Sequence, residues 1–264
     1  MIFKQFRYEP LAQASYLLGC VRSKQAFVVD PITNLGQDFY VLEGADLGLT
    51  ITGVLETHLH ADYISCARAL AELCACPHYL GDAALQLVPY KFTPVVDGEI
   101  LQLGQVEVRV IATPGHTPEH VAYLITDKAR SADPWSILSG DSLLVGDVGR
   151  PDLLVGDGAF ADMDEDHRAY AQWRSIREKL LTLPEHVEVY PGHYGGSTCG
   201  GVNLSGKASS TIWFEKRHNL ALKQETVQAF AAFVRETTRP FPDEYARIKS
   251  INLGLREAER SDAA

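Results

Sequence analysis

The sequence predicts an α+β fold of four layers, αββα, in which two β-sheets pack face to face between outer helices. A helical C-terminal extension follows. Three observations predict it. Short, β-branched apolar segments recur along the first two hundred residues, and each half of that region runs from strands into a helix. Histidine or aspartate directly follows several of those segments. Beyond about residue 205 the pattern is mostly helical.

The opening "MIFKQFRYEPLAQASYLLGC" alternates apolar and polar residues, as a strand does. It lacks the apolar run of a signal peptide and the Arg/Ser-rich pattern of a transit peptide. "QAFVVDPIT" reads as a buried strand ending in a turn, followed by a helix over about Gln37–Leu47. "LTITGVLETHLH" is a β-branched strand that runs into histidines. A helix is expected from Ala61 to about Cys76, with Asp62 near its start, where exposed N–H groups favour a carboxylate. "FTPVVDGEILQLGQVEVRVIATPG" reads as a meander turning at "DGE" and "LGQ". "HVAYLIT" and "WSILSGDSLL" are two more strands, and "GDVGRPDLLVGDGAFADM" is a loop. A helix over about His167–Leu183 stops at Pro184. "EVYPGHYGG" is a strand reaching another histidine, and helices follow at about Ser210–Leu222, Gln224–Thr237 and Asp243–Asn252. The whole chain, 1–264, is expected to form one domain, with a core over about 1–204, an extension over about 205–253 and a frayed tail at 254–264.

Composition excludes several classes. Hydrophobic residues make up 46% and charged residues 22%, ordinary for a globular protein. The net charge of −10 opposes binding to nucleic acid or to an acidic membrane surface. No run approaches the roughly 20 apolar residues that span a bilayer. The cysteines, Cys20, Cys66, Cys74, Cys76 and Cys199, are odd in number and form no CxxC pair, so neither a disulfide framework nor a structural zinc site is expected. Reduced thiols and a cytoplasmic location fit, with Cys74 as a core thiol.

Four separated pieces share one design: "THLHADY" (57–63), "TPGHTPEH" (113–120), "SGDSLL" (139–144) and "YPGH" (190–193). Each sets an imidazole or carboxylate just past an apolar strand. Strand ends of a sandwich converge on one edge, so these distant residues can meet there.

In this order of motifs, HxHxD, PGHT, GD and PGH, residues of about 10–200 resemble the metallo-β-lactamase superfamily. "GDSLLVGDVGRPDLL" and "PGHYGGSTCGGVNLSGKASSTIWFEKR" are most similar to its persulfide dioxygenases, including modules fused to rhodanese domains in bacteria. This chain is expected to carry no such second domain. Hydrolases of the superfamily hold two zinc ions; the resemblance implies His58, His60 and His116 for the first, Asp62, position 63 and His193 for the second, and Asp141 as a bridge. Position 63 is Tyr63, and a phenol with an ordinary pKa near 10 is a poor substitute for imidazole. A mononuclear centre is therefore expected. The dioxygenase resemblance implies one Fe(II) per chain on His58, His116 and Asp141, with His60, Asp62 and His193 orienting ligands or water. That family usually has histidine where this chain has Tyr63.

The resemblance further implies oxidation of the outer sulfur of a small thiol persulfide, such as glutathione persulfide, by O2 to sulfite and thiol. No flavin or nicotinamide is needed, and no strand-linked GxGxxG occurs. Arg150 and Asp152 match the family's GRxD and either pair with each other to fix a loop or hold a substrate carboxylate. Tyr194 lines the pocket or packs. Lys207, Lys216 and Arg217 form a cationic wall for a glutathione-like carrier or a solvated helix face. Cys199 relays sulfur or is an ordinary loop thiol. His78, His120, His167, His186 and His218 lack ligand spacing and are expected to be structural or on the surface. A rhodanese-type sulfurtransferase and a second copy of the chain are candidate partners.

Two rivals stand beside this reading. One is a zinc-dependent, glyoxalase II-like thioester hydrolase, since Asp62 and His193 are retained. The other is a sulfur-carrier or partner-binding module with a non-catalytic metal. A nuclease is opposed by the acidic balance.

Overall fold

The computed structural model describes residues 1–153, 165–240 and 242–257. Strands β1 (Ile2–Tyr8), β2 (Gln13–Cys20), β3 (Gln25–Val29), β4 (Thr50–Leu55), β5 (His78–Gly81) and β6 (Thr93–Val95) form one sheet in that order. Strands β7 (Ile100–Leu103), β8 (Val106–Ala112), β9 (Val121–Asp127), β10 (Ser136–Gly140), β11 (Glu188–Pro191) and β12 (Ser210–Thr211) form a second, also in chain order from edge to edge. The helices are α1 (Gln37–Asp46), α2 (Ala67–Leu73), α3 (Glu165–Glu178), α4 (Ile212–His218), α5 (Val227–Thr237) and α6 (Glu244–Asn252).

Period-two alternation builds the layers. Along β8, Val106, Val108 and Val110 face the first sheet; along β9, Tyr123 and Ile125 do so while Ala122 and Leu124 face outward. They meet Tyr16, Leu18, Phe27, Val29 and Leu55 in the central core, where each large buried side chain contributes roughly 1.5–3 kcal/mol. The outward face of the second sheet packs on Ile176 of α3 and on Phe230 and Val234 of α5. Outward residues of the first sheet, Val28, Ile51 and Val54, pack on Tyr40 of α1 and on Ala67, Leu70 and Ala71 of α2. The result is the expected αββα order.

Three local expectations are corrected. The helix expected over 61–76 forms only over Ala67–Leu73. Long-range hydrogen bonds hold the preceding segment: Cys66 N–H to Pro31 C=O, Thr33 N–H to Ile64 C=O, and Asn252 Nδ2 to the carbonyls of His60 and Tyr63. Asp62 therefore caps no helix and is free to act across the site. The meander is also interrupted, because β6 belongs to the first sheet and only β7 onward to the second. The "DGE" turn carries the chain between sheets, and Pro94, which lacks an N–H, lies on the sheet edge. The helix expected over Ser210–Leu222 starts with the short strand β12 and ends at His218; Asn219 instead donates from Nδ2 to Asp147 C=O at 2.8 Å.

The helix expected at 167–183 runs over Glu165–Glu178, and a separate short turn covers Leu180–Thr182. Part of the loop expected over 146–163 and most of the expected tail lie outside the described residues. All five cysteines are free thiols. Among the described residues, no helix is long and apolar enough to cross a membrane.

Candidate metal centre

Topology delivers the four motifs to one rim. Strand β9 is antiparallel to both β8 and β10, and β10 is parallel to β11, so β8, β10 and β11 run the same way. Their C-terminal ends release His116, Asp141 and His193, while β4 of the facing sheet releases His58 through Tyr63. Gly140 makes the Asp141 turn possible. Its φ is +51°, and a Cβ there would stand 2.6 Å from His120 Nε2 and 2.8 Å from the Thr57 side chain.

His58, His116 and Asp141 come together in the buried centre, each offering one ligand atom within 4.8 Å of the others. Asp141 Oδ2 lies 3.4 Å from His116 Nε2 and 3.7 Å from His58 Nε2. Hydrogen bonds on the far side of each ring assign the tautomers. His116 Nδ1 is 2.8 Å from Arg150 C=O, so it carries the proton. Thr57 donates its hydroxyl to Asp30 Oδ2 at 2.9 Å, so it accepts from His58 Nδ1, also at 2.9 Å. Both Nε2 atoms are left as lone pairs, buried and without a hydrogen-bond partner. Burial first, then neighbouring imidazoles, hold both rings neutral, with pKa values well below the usual histidine value. Two orphaned lone pairs beside a buried carboxylate fit a divalent metal ion, which would satisfy both nitrogens and balance the anion.

The remaining groups of the motif lie around this cluster. His193 donates from Nδ1 to Asp141 at 2.8 Å and places Nε2 2.7 Å from Asp62 Oδ2. Burial opposes its cation, but the Asp141 and Asp62 carboxylates prevail and raise its pKa well above the usual value. His60 belongs to neither cluster of ligand atoms; its Nε2 faces Asp30 Oδ1 at 3.3 Å and the Tyr63 hydroxyl at 2.8 Å. Tyr63 stacks on His60 with ring centroids 4.2 Å apart, and burial with nearby carboxylates drives its pKa far up, so it stays a neutral phenol. Cys199 is fully buried and joins Asp62 and His193 in a second group of ligand atoms within 4.8 Å of one another.

Comparison with known proteins fits this geometry. The family model of the metallo-beta-lactamase superfamily matches residues 8–193, a span that holds all four motifs. This chain belongs to that superfamily. It is 28% identical over 195 residues to human "Persulfide dioxygenase ETHE1, mitochondrial", covering 72% of this chain and 68% of that protein. The match to the bovine protein of the same name spans 65% of its length. "Hydroxyacylglutathione hydrolase" of Rhodospirillum rubrum is 33% identical over 181 residues, covering 67% of this chain and 60% of the hydrolase. Among solved structures, ETHE1 from Myxococcus xanthus aligns with TM-score 0.78 at 28% identity, over 97% of this chain and 99% of that one. A metallo-beta-lactamase from Staphylococcus aureus aligns with TM-score 0.84 at 33% identity, over 96% and 71%.

Other residues singled out by sequence find different places on this metallo-β-lactamase fold. Arg150 makes a two-pronged pair with Asp152 at 2.6 and 2.7 Å and donates to Thr198 C=O, fixing the loop whose carbonyl orients His116. Tyr194 is buried in the central core, with the Arg7 guanidinium 4.0 Å over its ring. Lys216 and Arg217 pair with Glu185, Arg217 also stacks on Trp213, and Lys207 lies over Phe214, so none of these contacts reaches the centre. Among the remaining histidines, His78 pairs with Glu56 at 2.6 Å, His186 faces Pro134 C=O and His218 sits tilted against Phe214. His167 is exposed on α3.

Sequence reasoning missed two supports, Asp30 and Glu119, and gave His120 only a structural or surface place. Asp30, in the αL region at φ +51°, accepts from Thr57 N at 2.7 Å and from its hydroxyl, and faces His60. The one available signal was an aspartate wedged between an apolar strand and Pro31. Glu119 accepts the Leu59 N–H at 2.8 Å. His120, expected to be structural or on the surface, accepts the Asp141 N–H at 3.0 Å through Nε2 and bonds Thr113 through Nδ1. Asp30→Asn, which loses one acceptor of that hub, should weaken metal binding by about 10–100-fold in a chelator-competition titration.

Burial pushes the His120 pKa down to about 3. A histidine depressed in the fold binds protons mainly when unfolded, so its contribution is complete above about pH 6.5 and fades as pH falls toward 3. His120→Gln should therefore lose most stability relative to the parent at pH 7 and less at pH 4.5, read by thermal unfolding of both metal-free proteins.

Proposed function

We propose that this chain is a persulfide dioxygenase holding one Fe(II) on His58, His116 and Asp141. The observation that carries the reading is the buried pair of unpartnered Nε2 lone pairs against the Asp141 carboxylate. Two histidines and one carboxylate suit a non-haem ferrous ion and leave room for further ligands. Bound there, iron would supply the one-electron chemistry that ground-state O2 needs to react with sulfur. The substrate class is a small thiol persulfide, with glutathione persulfide as the first to test. Similarity to the named persulfide dioxygenases supports this choice.

The chain's own residues have definite tasks in this reading. Asp30 and Thr57 hold the His58 proton at Nδ1, and Arg150 C=O holds that of His116, so both rings present Nε2. His193 keeps a proton on Nδ1 against Asp141 and orients the carboxylate, while Asp62 steadies the other edge of that imidazole. Both atoms of O2 and one oxygen from water end on the outer sulfur, which rises from the sulfane level to sulfite. The S–S bond breaks and the carrier leaves as thiol. O2 accepts the four electrons.

The test is oxygen uptake by iron-loaded protein with glutathione persulfide, together with sulfite release. Uptake and sulfite in equal amounts are expected, and a flat oxygen trace rejects the proposal. A zinc-dependent thioester hydrolase is the second reading. It is favoured by the Asp62, His193 and Cys199 cluster and by similarity to the Rhodospirillum rubrum hydrolase. It calls for hydrolysis of S-lactoylglutathione by zinc-loaded protein.

A further inference from the structure

The loop that carries His58, His60, Asp62 and Tyr63 is held by a helix outside the family match. That match ends at residue 193, whereas α6 begins at Glu244. Tyr245, Lys249 and Asn252 share one face of α6 at helical spacing, and all three are buried.

Each makes a directed contact. Asn252 donates from Nδ2 to the carbonyls of His60 and Tyr63, both at 2.8 Å, and accepts the Ser65 N–H on Oδ1 at 3.0 Å. One amide thus ties three backbone groups of the metal loop, using both of its donors and one acceptor site. The Lys249 ammonium donates to Leu59 C=O, while Glu119 accepts the Leu59 N–H from the other side. Leu59 stands between His58 and His60, so charged side chains clamp both of its backbone groups. Tyr245 bonds the Thr198 hydroxyl and lies 3.4 Å from Cys199 Sγ, in the loop after His193.

A buried ammonium and a buried amide are costly unless fully used, and apolar residues would pack a helix more cheaply. Here they are spent on loop carbonyls next to metal-motif residues. We propose that α6 sets the geometry of the metal loop, with Lys249 and Asn252 as positioning residues. Nothing on α6 is assigned as a ligand or as touching substrate. The inference rests on the metal-site reading above but not on the reaction proposed for it.

The test uses Co(II) as a spectroscopic probe on metal-free protein. Asn252→Asp keeps the acceptor and the shape, loses both donors and adds a buried negative charge that by itself favours a cation, so weaker Co(II) binding in it reports lost positioning. Lys249→Met keeps the stem and loses the charge. Val234→Ala, on α5 in a core cluster that holds no residue of the loop, serves as a control that lowers stability without removing a contact to it. Both α6 variants should bind Co(II) about 10–100-fold more weakly and shift its visible spectrum, whereas Val234→Ala keeps the parent affinity and spectrum. A folded Asn252→Asp protein with the parent's Co(II) affinity and spectrum overturns the proposal. So does a control that loses affinity in proportion to its stability, as the α6 variants would if they acted only by loosening the fold. If Lys249→Met does not fold, the isosteric Asn252→Asp decides alone. Failure of the metal-site reading appears separately, as unchanged Co(II) binding in Asp141→Asn. Failure of the proposed reaction appears as absent oxygen uptake in parent protein that binds Co(II) normally.

Discussion

Asp141→Asn should purify folded but nearly metal-free, and its oxygen uptake with glutathione persulfide should fall by at least ~100-fold, beyond the range for groups that only orient ligands. Asp141 is fully buried and is the one carboxylate within reach of both His58 Nε2 and His116 Nε2 among the clustered ligand atoms. Asparagine keeps the volume and the backbone bonds, including the N–H donated to His120 and the C=O that accepts Gly149 N–H at 2.9 Å. What it removes is the negative charge, leaving neutral imidazoles that attract a divalent ion far less. The checks are elemental analysis for metal, circular dichroism for fold and an oxygen electrode for activity. Metal content equal to the parent's would show that Asp141 is not a ligand.

Exchange of iron for zinc should abolish oxygen uptake while leaving the fold unchanged. Zinc accepts the same nitrogen and oxygen donors but has no accessible redox state, so it can polarise a substrate and cannot assist O2. Metal-free protein loaded with Fe(II) should consume O2 on addition of persulfide, and the same batch loaded with Zn(II) should not. Thermal unfolding should rise with either metal, because each binds the folded chain and not the unfolded one. Zinc-loaded protein that cleaves a thioester quickly, beside iron-loaded protein that leaves O2 untouched, would transfer support to the hydrolase reading.

Much of the fold was legible because its signals are local. Alternation such as Val106, Val108 and Val110 needs no partner to be recognised, and a sandwich follows once several such strands end at chemical residues. Strand ends alone imply that the four motifs meet at one rim, whereas the choice of His58, His116 and Asp141 among their residues comes from the family resemblance. The misread segments were decided by distant partners. Residues 61–66 have a helical pattern, but Pro31, Thr33 and Asn252 supply hydrogen bonds that an isolated segment cannot foresee. The segment of β6 reads as one meander with β7 and β8 because a turn signal gives a change of direction and not the sheet that receives the chain. Asp30 and Glu119 were missed for the same reason, since each acts on a backbone or hydroxyl group far away in sequence. Cys199 resembled an ordinary loop thiol, and only the folded chain brings its Sγ beside Asp62 and His193.

The most direct test of the central claim is metal identity and stoichiometry in protein purified without added metal, measured by elemental analysis against protein concentration. About one iron per chain, lost in Asp141→Asn, is the predicted result for a two-histidine, one-carboxylate centre. About two zinc ions per chain, with Asp62, His193 and Cys199 holding the second, would contradict it.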